Sequence, residues 1–270
     1  DKKGYMWFGS EHGLIKYDGY TFKIFQHDDF NKNSLGTHNA RHMAGDPYGN
    51  IWVAGDGGVS KYDLHKENFT PYWYNWYGSE HKVSPSDSEY IASLPSAWVL
   101  CVTASKQGRI WIGTGKGLCF LDSPSAKIVN LSDIILPDTL CGLIVSCLMI
   151  DHRGLLWIGT DNGINIYDPI NKKIKLFAPV DKNYAAMNKN VVCMLEDHEH
   201  NMWIGLSNKG IYRYNPSTGT SKVYRYSAAN NSCLASDAIT SLFEDSHSTI
   251  WAGFYGGISV YQPETDDFRS

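Results

Sequence analysis

Asp197-His-Glu-His200 has the composition of a metal centre, with two imidazoles and two carboxylates within four residues. Zinc-class ions take such donors, but a zinc site of ordinary spacing needs a second pair of ligands, and none is evident in the sequence. His152 and His247 stand nearby in equivalent positions of sister repeats, so the stretch is read as a turn with solvated histidines, and no metal or cofactor is expected. The adjacent acids Glu196-Asp197 and Glu244-Asp245 are of the type used in acid–base catalysis, yet they recur with the same repeat. Three of the six cysteines, Cys101, Cys147 and Cys193, each lie ten residues before a Trp, where other copies carry His42 and Ser241. One buried structural position explains this set better than disulfides or a metal. The chain has no Gly-x-Ser-x-Gly elbow, Walker loop or His-Glu-x-x-His, and it is read as non-enzymatic.

The elements that position these residues follow from a repeat. Trp7, Trp52, Trp111, Trp157, Trp203 and Trp251 are separated by 45, 59, 46, 46 and 48 residues. Six positions before the Trp stands Asp1, Asp46, Asp151, Asp197 or Asp245, with Ser105 in the third copy. Two positions after it stands Gly9, Gly113, Gly159, Gly205 or Gly253, with Ala54 in the second. A further glycine follows six after the Trp and a Tyr ten after it in most copies, the fifth being displaced by one residue.

No window keeps apolar residues at helical spacing, whereas short apolar runs bounded by Asp, Asn and Gly recur throughout. Four short strands in a unit of about 46 residues predict an all-β fold, a β-propeller of four-stranded antiparallel blades with six repeats visible. Strands a to d run outward in each blade. Strand a is Val191 to Glu196 in the fifth copy, strand b carries the Trp, and strand c ends in Tyr. The Trp is expected to pack between neighbouring blades. The a–b turn needs an Asp that bonds its own backbone and a Gly at positive φ, as in Asp151-His-Arg-Gly154.

Residues 1–270 are read as a single domain, since propellers of this length have one core. With 43% hydrophobic and 19% charged residues the composition is that of a globular protein. A net charge of -4 without a basic stripe argues against a nucleic-acid partner. The most apolar run, Leu140 to Ile150, is too short and polar to cross a bilayer. The sequence opens at Asp1 within a repeat, so any targeting or membrane segment is expected outside it.

Alternation places the b–c turns and d–a connections on one face, and the long variable connections are all d–a. That face is the expected functional one. Its b–c turns carry residues that differ between copies: His12, Asp56, Lys116, Asp161 with Asn162, Asn208 with Lys209, and Phe254 with Tyr255. These are either ligand contacts or plain solvated turns. The spacing of 59 reflects an aromatic insertion, about 71–95, entered through Phe69-Thr-Pro-Tyr-Trp-Tyr-Asn-Trp-Tyr77. On an outer strand Phe69, Trp73 and Tyr77 face one way and Tyr72, Tyr74 and Trp76 the other. An edge strand rarely buries both faces, so exposed rings suited to sugars or a protein contact are expected among Trp73, Tyr74, Trp76 and Tyr77. The alternative is an insertion that folds back over its own aromatics.

Trp-Ile-Gly-Thr followed by Gly-Leu or Gly-Ile and Tyr-Asp, and preceded by Asp-x-x-Gly, resembles the two-component regulator propeller repeat. The opening, Asp1 to Tyr20, resembles the first propeller of hybrid two-component sensors of Bacteroides-type gut bacteria. The resemblance spans the chain and implies a periplasmic sensor with two seven-bladed propellers and a β-sandwich domain. It also implies a histidine kinase, a receiver and a DNA-binding helix-turn-helix beyond the membrane. An oligosaccharide ligand, a homodimer and control of polysaccharide-utilisation genes are implied with it. Only six copies are visible, the first without strand a and the last ending before a complete strand d, so a truncated seven-bladed ring is favoured over a smaller one. The competing readings are a protein-interaction propeller that binds no sugar and, third, a propeller polysaccharide lyase.

Overall fold

The spacing of six residues between Asp and Trp is a hydrogen-bond distance in folded form. A computed structural model describes all residues except 2, 32, 75–90, 93, 123–126, 135–139, 180–183, 185–189, 230–232 and 270. In it the indole Nε1 of Trp7, Trp52, Trp157, Trp203 and Trp251 donates to Asp1, Asp46, Asp151, Asp197 and Asp245 at 2.7–3.1 Å. The other oxygen of each carboxylate accepts two backbone N–H groups of the same turn, as Asp197 does from Glu199 and Asn201. One side chain thus closes the a–b turn and satisfies a buried indole that would otherwise carry a desolvated donor. In the third copy the Ser105 hydroxyl takes over the turn, accepting from Arg109 N at 3.0 Å.

The strands form six successive sheets, each a blade of an all-β propeller. Sheet one comprises β1 (Met6–Ser10), β2 (Gly13–Tyr17) and β3 (Phe22–Phe25). Sheet two has β4 (His42–Gly45), β5 (Ile51–Gly55), β6 (Gly58–Asp63), β7 (Asn68–Tyr74) and β8 (Ile91–Ala92). Sheet three has β9 (Val99–Ala104), β10 (Ile110–Thr114), β11 (Gly117–Leu121) and β12 (Val129–Asn130). Sheet four has β13 (Val145–Ile150), β14 (Leu156–Thr160), β15 (Gly163–Asp168) and β16 (Lys173–Leu176). Sheet five has β17 (Val191–Glu196), β18 (Met202–Leu206), β19 (Gly210–Tyr214) and β20 (Ser221–Tyr224). Sheet six has β21 (Ile239–Glu244), β22 (Ile250–Phe254), β23 (Gly257–Gln262) and β24 (Asp267–Arg269). Neighbouring strands are antiparallel throughout, save that β8 adds to β7 in parallel.

The sixth sheet has a short fourth strand of three residues, in which Phe268 is buried against Trp203 and Tyr224. One expectation is corrected here. β8 pairs with the aromatic strand β7 only at Trp73 and Tyr74, and the rest of this outer strand buries both faces nonetheless, because Phe69 packs on Phe25 and Tyr62 while Tyr72 packs on Trp52.

The chain divides into two compact units, Asp1–Pro137 and Asp138–Ser270, of three sheets each. Within each unit the Trp of one sheet packs on the first strands of the next. Trp52 lies with Val99, Val102 and Ile110, Trp157 with Val191 and Met202, and Trp203 with Ile239 and Ile250. Trp52, Trp157 and Trp203 are almost wholly buried, which removes large apolar surface from water at these seams within the units.

Register explains the glycine two residues after the Trp. Gly159 pairs with Cys147, Gly205 with Cys193 and Gly253 with Ser241. A Cβ on Gly159 would stand 2.4 Å from the Cys147 sulfur and 2.9 Å from a methyl of Val191 in the next sheet. The small residue before and the absent side chain after are therefore one packing constraint, and burial raises the Cys193 thiol pKa to about 12. All six cysteines are reduced thiols.

Among the described residues, the first and last sheets carry exposed apolar side chains on one face. On sheet one, register puts Met6, Phe8, Phe22 and Ile24 on the same face, and all four are exposed. On sheet six, Phe243 and Ile258 are exposed on the face opposite Phe268.

Candidate functional site

In the first, third and fourth sheets the b–c turn is built by the hydroxyl that ends strand b. Ser10, Thr114 and Thr160 each donate to the carbonyl of the glycine three residues on, and each accepts the N–H two residues on. This locks the turn and leaves its tip outward, so His12, Lys116 and Asn162 are exposed. The residue four after the Trp has a second duty, tying strand b to the chain entering strand a. Gly115 N donates to Trp98 O, Asp161 N to Ile144 O and Ser207 N to Asn190 O, at 2.9–3.1 Å.

Several expected ligand residues are therefore engaged by the fold. Asp161 also accepts from Ile144 N, while Asn162 donates to Cys141 O at 2.7 Å. Asn208 sits at φ 53, a left-handed turn position that asparagine tolerates, with its surface exposed. Trp73 is not an open platform, because its Nε1 donates to Gly36 O at 3.0 Å and the ring lies against Gly36. Trp76 and Tyr77, and the side chain of Tyr74, lie outside the described residues. Tyr255 is 90% exposed at the tip of its turn, as a ligand contact or a solvated ring would be.

The first unit does bring a group together. Asp56 makes a two-point ion pair with Arg41, Nη2 to Oδ2 at 2.9 Å and Nε to Oδ1 at 3.2 Å. Asn39 Nδ2 adds a bond to Oδ2 at 2.8 Å and its Oδ1 accepts Asp56 N. Burial raises the Asp56 pKa, but the hydrogen bonds and charge of Arg41, with Asn39, outweigh it and hold the carboxyl below its ordinary value. Asp56 forms a backbone β-bridge with Trp98 of the neighbouring sheet, so that the residue carrying this indole adjoins the residue carrying the carboxylate. That indole lies on Gly115, where a Cβ would come within 3.0 Å of its ring, and it remains 46% exposed. Lys116, next to Gly115, is exposed.

Trp98, Arg41 and Asn39 were not among the expected site residues. The available signal was that Trp98 falls outside the six repeat positions, as only Trp73 and Trp76 also do. The chemistry of this group is recognition: a flat apolar surface, a fixed acid–base pair with polar edges, and a free-reaching ammonium. Burial pushes the Cys101 and Cys119 thiols far above their ordinary range, so neither of these two is a ready nucleophile.

Known proteins place these observations. The two component regulator propeller model matches residues 93–116, 139–162 and 186–208, each running from the entry of strand a to the b–c turn. The extracellular domain of a hybrid two component system from B. thetaiotaomicron superposes with a TM-score of 0.74 at 25% identity, covering 100% of this chain and 33% of that one. A second such domain from the same organism gives 0.66 at 21% identity, over 96% and 37% of the two chains. Virginiamycin B lyase from Staphylococcus aureus shares the fold alone, with a TM-score of 0.60 at 13% identity over 98% and 73%. None of the curated proteins matches. No helix among the described residues is long and apolar enough to cross a membrane. The chain spans about a third of the length of the B. thetaiotaomicron domains. It is a β-propeller in which three segments match the two component regulator propeller model, and it is similar in structure to the extracellular domains of hybrid two component systems.

Proposed function

We propose that this chain belongs to the periplasmic sensor region of a hybrid two-component histidine kinase and recognises an oligosaccharide on the b–c and d–a face of its first unit. The observation that carries the reading is the partly exposed Trp98 indole, backed by Gly115 and carried by the residue that bridges to Asp56 of the Arg41–Asp56 pair. A sugar ring presents axial C–H groups that stack on an aromatic face and equatorial hydroxyls that bond to charged planar groups. In the intact receptor, a homodimer attached to the membrane through other segments, binding would shift the balance between two dimer arrangements. That requires unequal affinity for the two. The reading is non-enzymatic and needs no cofactor or nucleic acid at this face.

Calorimetry with a glycan panel tests it. A glycan that binds should lose roughly tenfold in affinity with Trp98→Ala at unchanged melting temperature. Equal affinity in wild type and variant would overturn the assignment. New reducing or unsaturated ends in the same panel would instead favour a lyase.

The second reading, a protein-interaction propeller, is favoured by the open face of sheet one, where Met6, Phe8, Phe22 and Ile24 form an apolar patch. Such patches mark protein contacts. Self-association abolished by Phe22→Asp, with no glycan bound by the wild type, would support it.

A further inference from the structure

The a–b turns of the fourth and fifth sheets make a contact that their local sequence does not contain. The His152 ring, from the fourth sheet, places Nδ1 2.5 Å from Glu196 Oε1 at the end of β17 in the fifth. The backbone N–H of His152 donates to the other oxygen, Oε2, at 2.7 Å. His200, four residues beyond Glu196, brings its own Nδ1 to 3.3 Å from the same Oε1. One ligand atom from each residue lies within 4.8 Å of the other two. Of the stretch Asp197-His-Glu-His200, only His200 takes part. Asp197 is consumed by its turn and by Trp203, and His198 reaches Glu244 instead.

His200 also stands where the repeat calls for another residue. The same turn position holds Gly4, Gly49, Gly108 and Gly154 in the first four blades, all at φ of 83–90. His200 adopts that left-handed conformation at φ 66 despite its side chain. The turn therefore carries an imidazole at a position where glycine would be easier.

We propose that His152, Glu196 and His200 bind a divalent ion of the zinc class, which would bridge the fourth and fifth blades and keep its remaining coordination positions for water. Two imidazoles and a carboxylate are the donor set of such ions. Donors held about 2.1 Å from a tetrahedral ion stand roughly 3.4 Å apart, close to the present His200–Glu196 separation. The rings now stack, with centroids 3.7 Å apart and planes at 24°. An ion must lie in the plane of each ring it binds, so loading opens the stack. The exposed outer edges of both histidines permit this, their side chains being 43% and 52% accessible, while Glu196 at 12% is the fixed donor. Arg153, the nearest cation in sequence, is already held by Asp151 at 2.7 Å.

Titration of tag-free protein with Zn2+, and with Co2+ as the spectroscopic probe, tests this. One equivalent of Zn2+ should bind, Co2+ should give visible bands displaced by Zn2+, and Zn2+ should raise the melting temperature. His152→Ala, Glu196→Gln and His200→Gly should each weaken binding at least tenfold, whereas His198→Ala should leave it unchanged. His200→Gly keeps the test independent of folding, because without metal it should melt no lower than wild type. Absence of stoichiometric binding would overturn the site. So would affinity unchanged in His200→Gly, or lost equally in His198→Ala, which would move the ion to the contiguous motif.

Discussion

The seam between blades four and five and the seam between blades five and six are built from the same repeat yet closed by different chemistry. At both, a histidine one residue after the turn Asp reaches a glutamate that ends the next blade's first strand: His152 to Glu196, and His198 to Glu244, each at 2.5 Å. The hydrogen bond to Glu244 raises the His198 pKa. At the first seam His200 adds a third donor, and at the second the equivalent residue is Ser248, at φ 64. Deeper in, the first seam is aromatic, with Phe177 packed on Trp157, Tyr184 and Tyr214. The second is aromatic as well, with Phe268 packed on Trp203, Tyr224 and Tyr261, but it adds a polar centre, Asp266, which receives the Tyr224 and Tyr261 hydroxyls at 2.7 Å and is ion-paired to Arg213 and Lys222 at 3.0 Å. Arg213 also lies over the Trp203 ring. The difference teaches that the repeat copies the Asp–Trp corner and the seam's outline, while what fills the outline is open to each blade.

The largest expected effect tests the first seam. Phe177→Ala should destabilise the protein by about 3 kcal/mol, read by denaturant unfolding, because a buried ring leaves a cavity. A loss within the error of a surface substitution would show that this seam does not depend on ring packing.

The polar centre of the second seam should show its difference in acid. Burial raises the Asp266 pKa, but the hydrogen bonds of Tyr261, Tyr224 and Lys222 and the charge of Arg213 prevail and bring it to about 2. A lowered carboxyl contributes stability above its ordinary value, and that contribution is lost as pH falls from there through the folded value. Asp266→Asn should therefore cost about 1 kcal/mol at neutral pH, a figure reduced for the group's solvent exposure, and the gap to wild type should close as pH falls toward 2. Unfolding curves across that range check the sign, and a constant gap would contradict it.

The turn residues come next. In metal-free protein His200→Gly and Ser248→Gly should each stabilise by up to about 1 kcal/mol, since both relieve a left-handed non-glycine residue. Zinc should reverse the order at the first seam only. The smallest effect is that of the exposed clasps: without metal His152→Ala and His198→Ala should each change stability by less than about 1 kcal/mol, and by similar amounts. Thermal melts in chelator resolve this, and a large loss from His152→Ala alone would mean that the two clasps are not equivalent.

The Asp–Trp interval, the glycines around the strands and the alternation of apolar residues determined by themselves that this is a propeller, where its blades begin, and that the Trp would seal the seams. Those features are legible because each expresses a bond or contact within one repeat, whose partners are separated by a fixed few residues, as Asp197 and Trp203 are. The sites were decided by tertiary structure because their partners come from different repeats. Trp98 is brought to Asp56 only when the chain entering β9 meets the neighbouring blade, and β7 buries both faces only when Phe69 and Tyr72 are packed from either side. His200 meets His152 across 48 residues of chain, an interval no local motif encodes. A periodic sequence repeats what every blade needs for its own turn and seam, while ligand chemistry arises where side chains of successive blades converge.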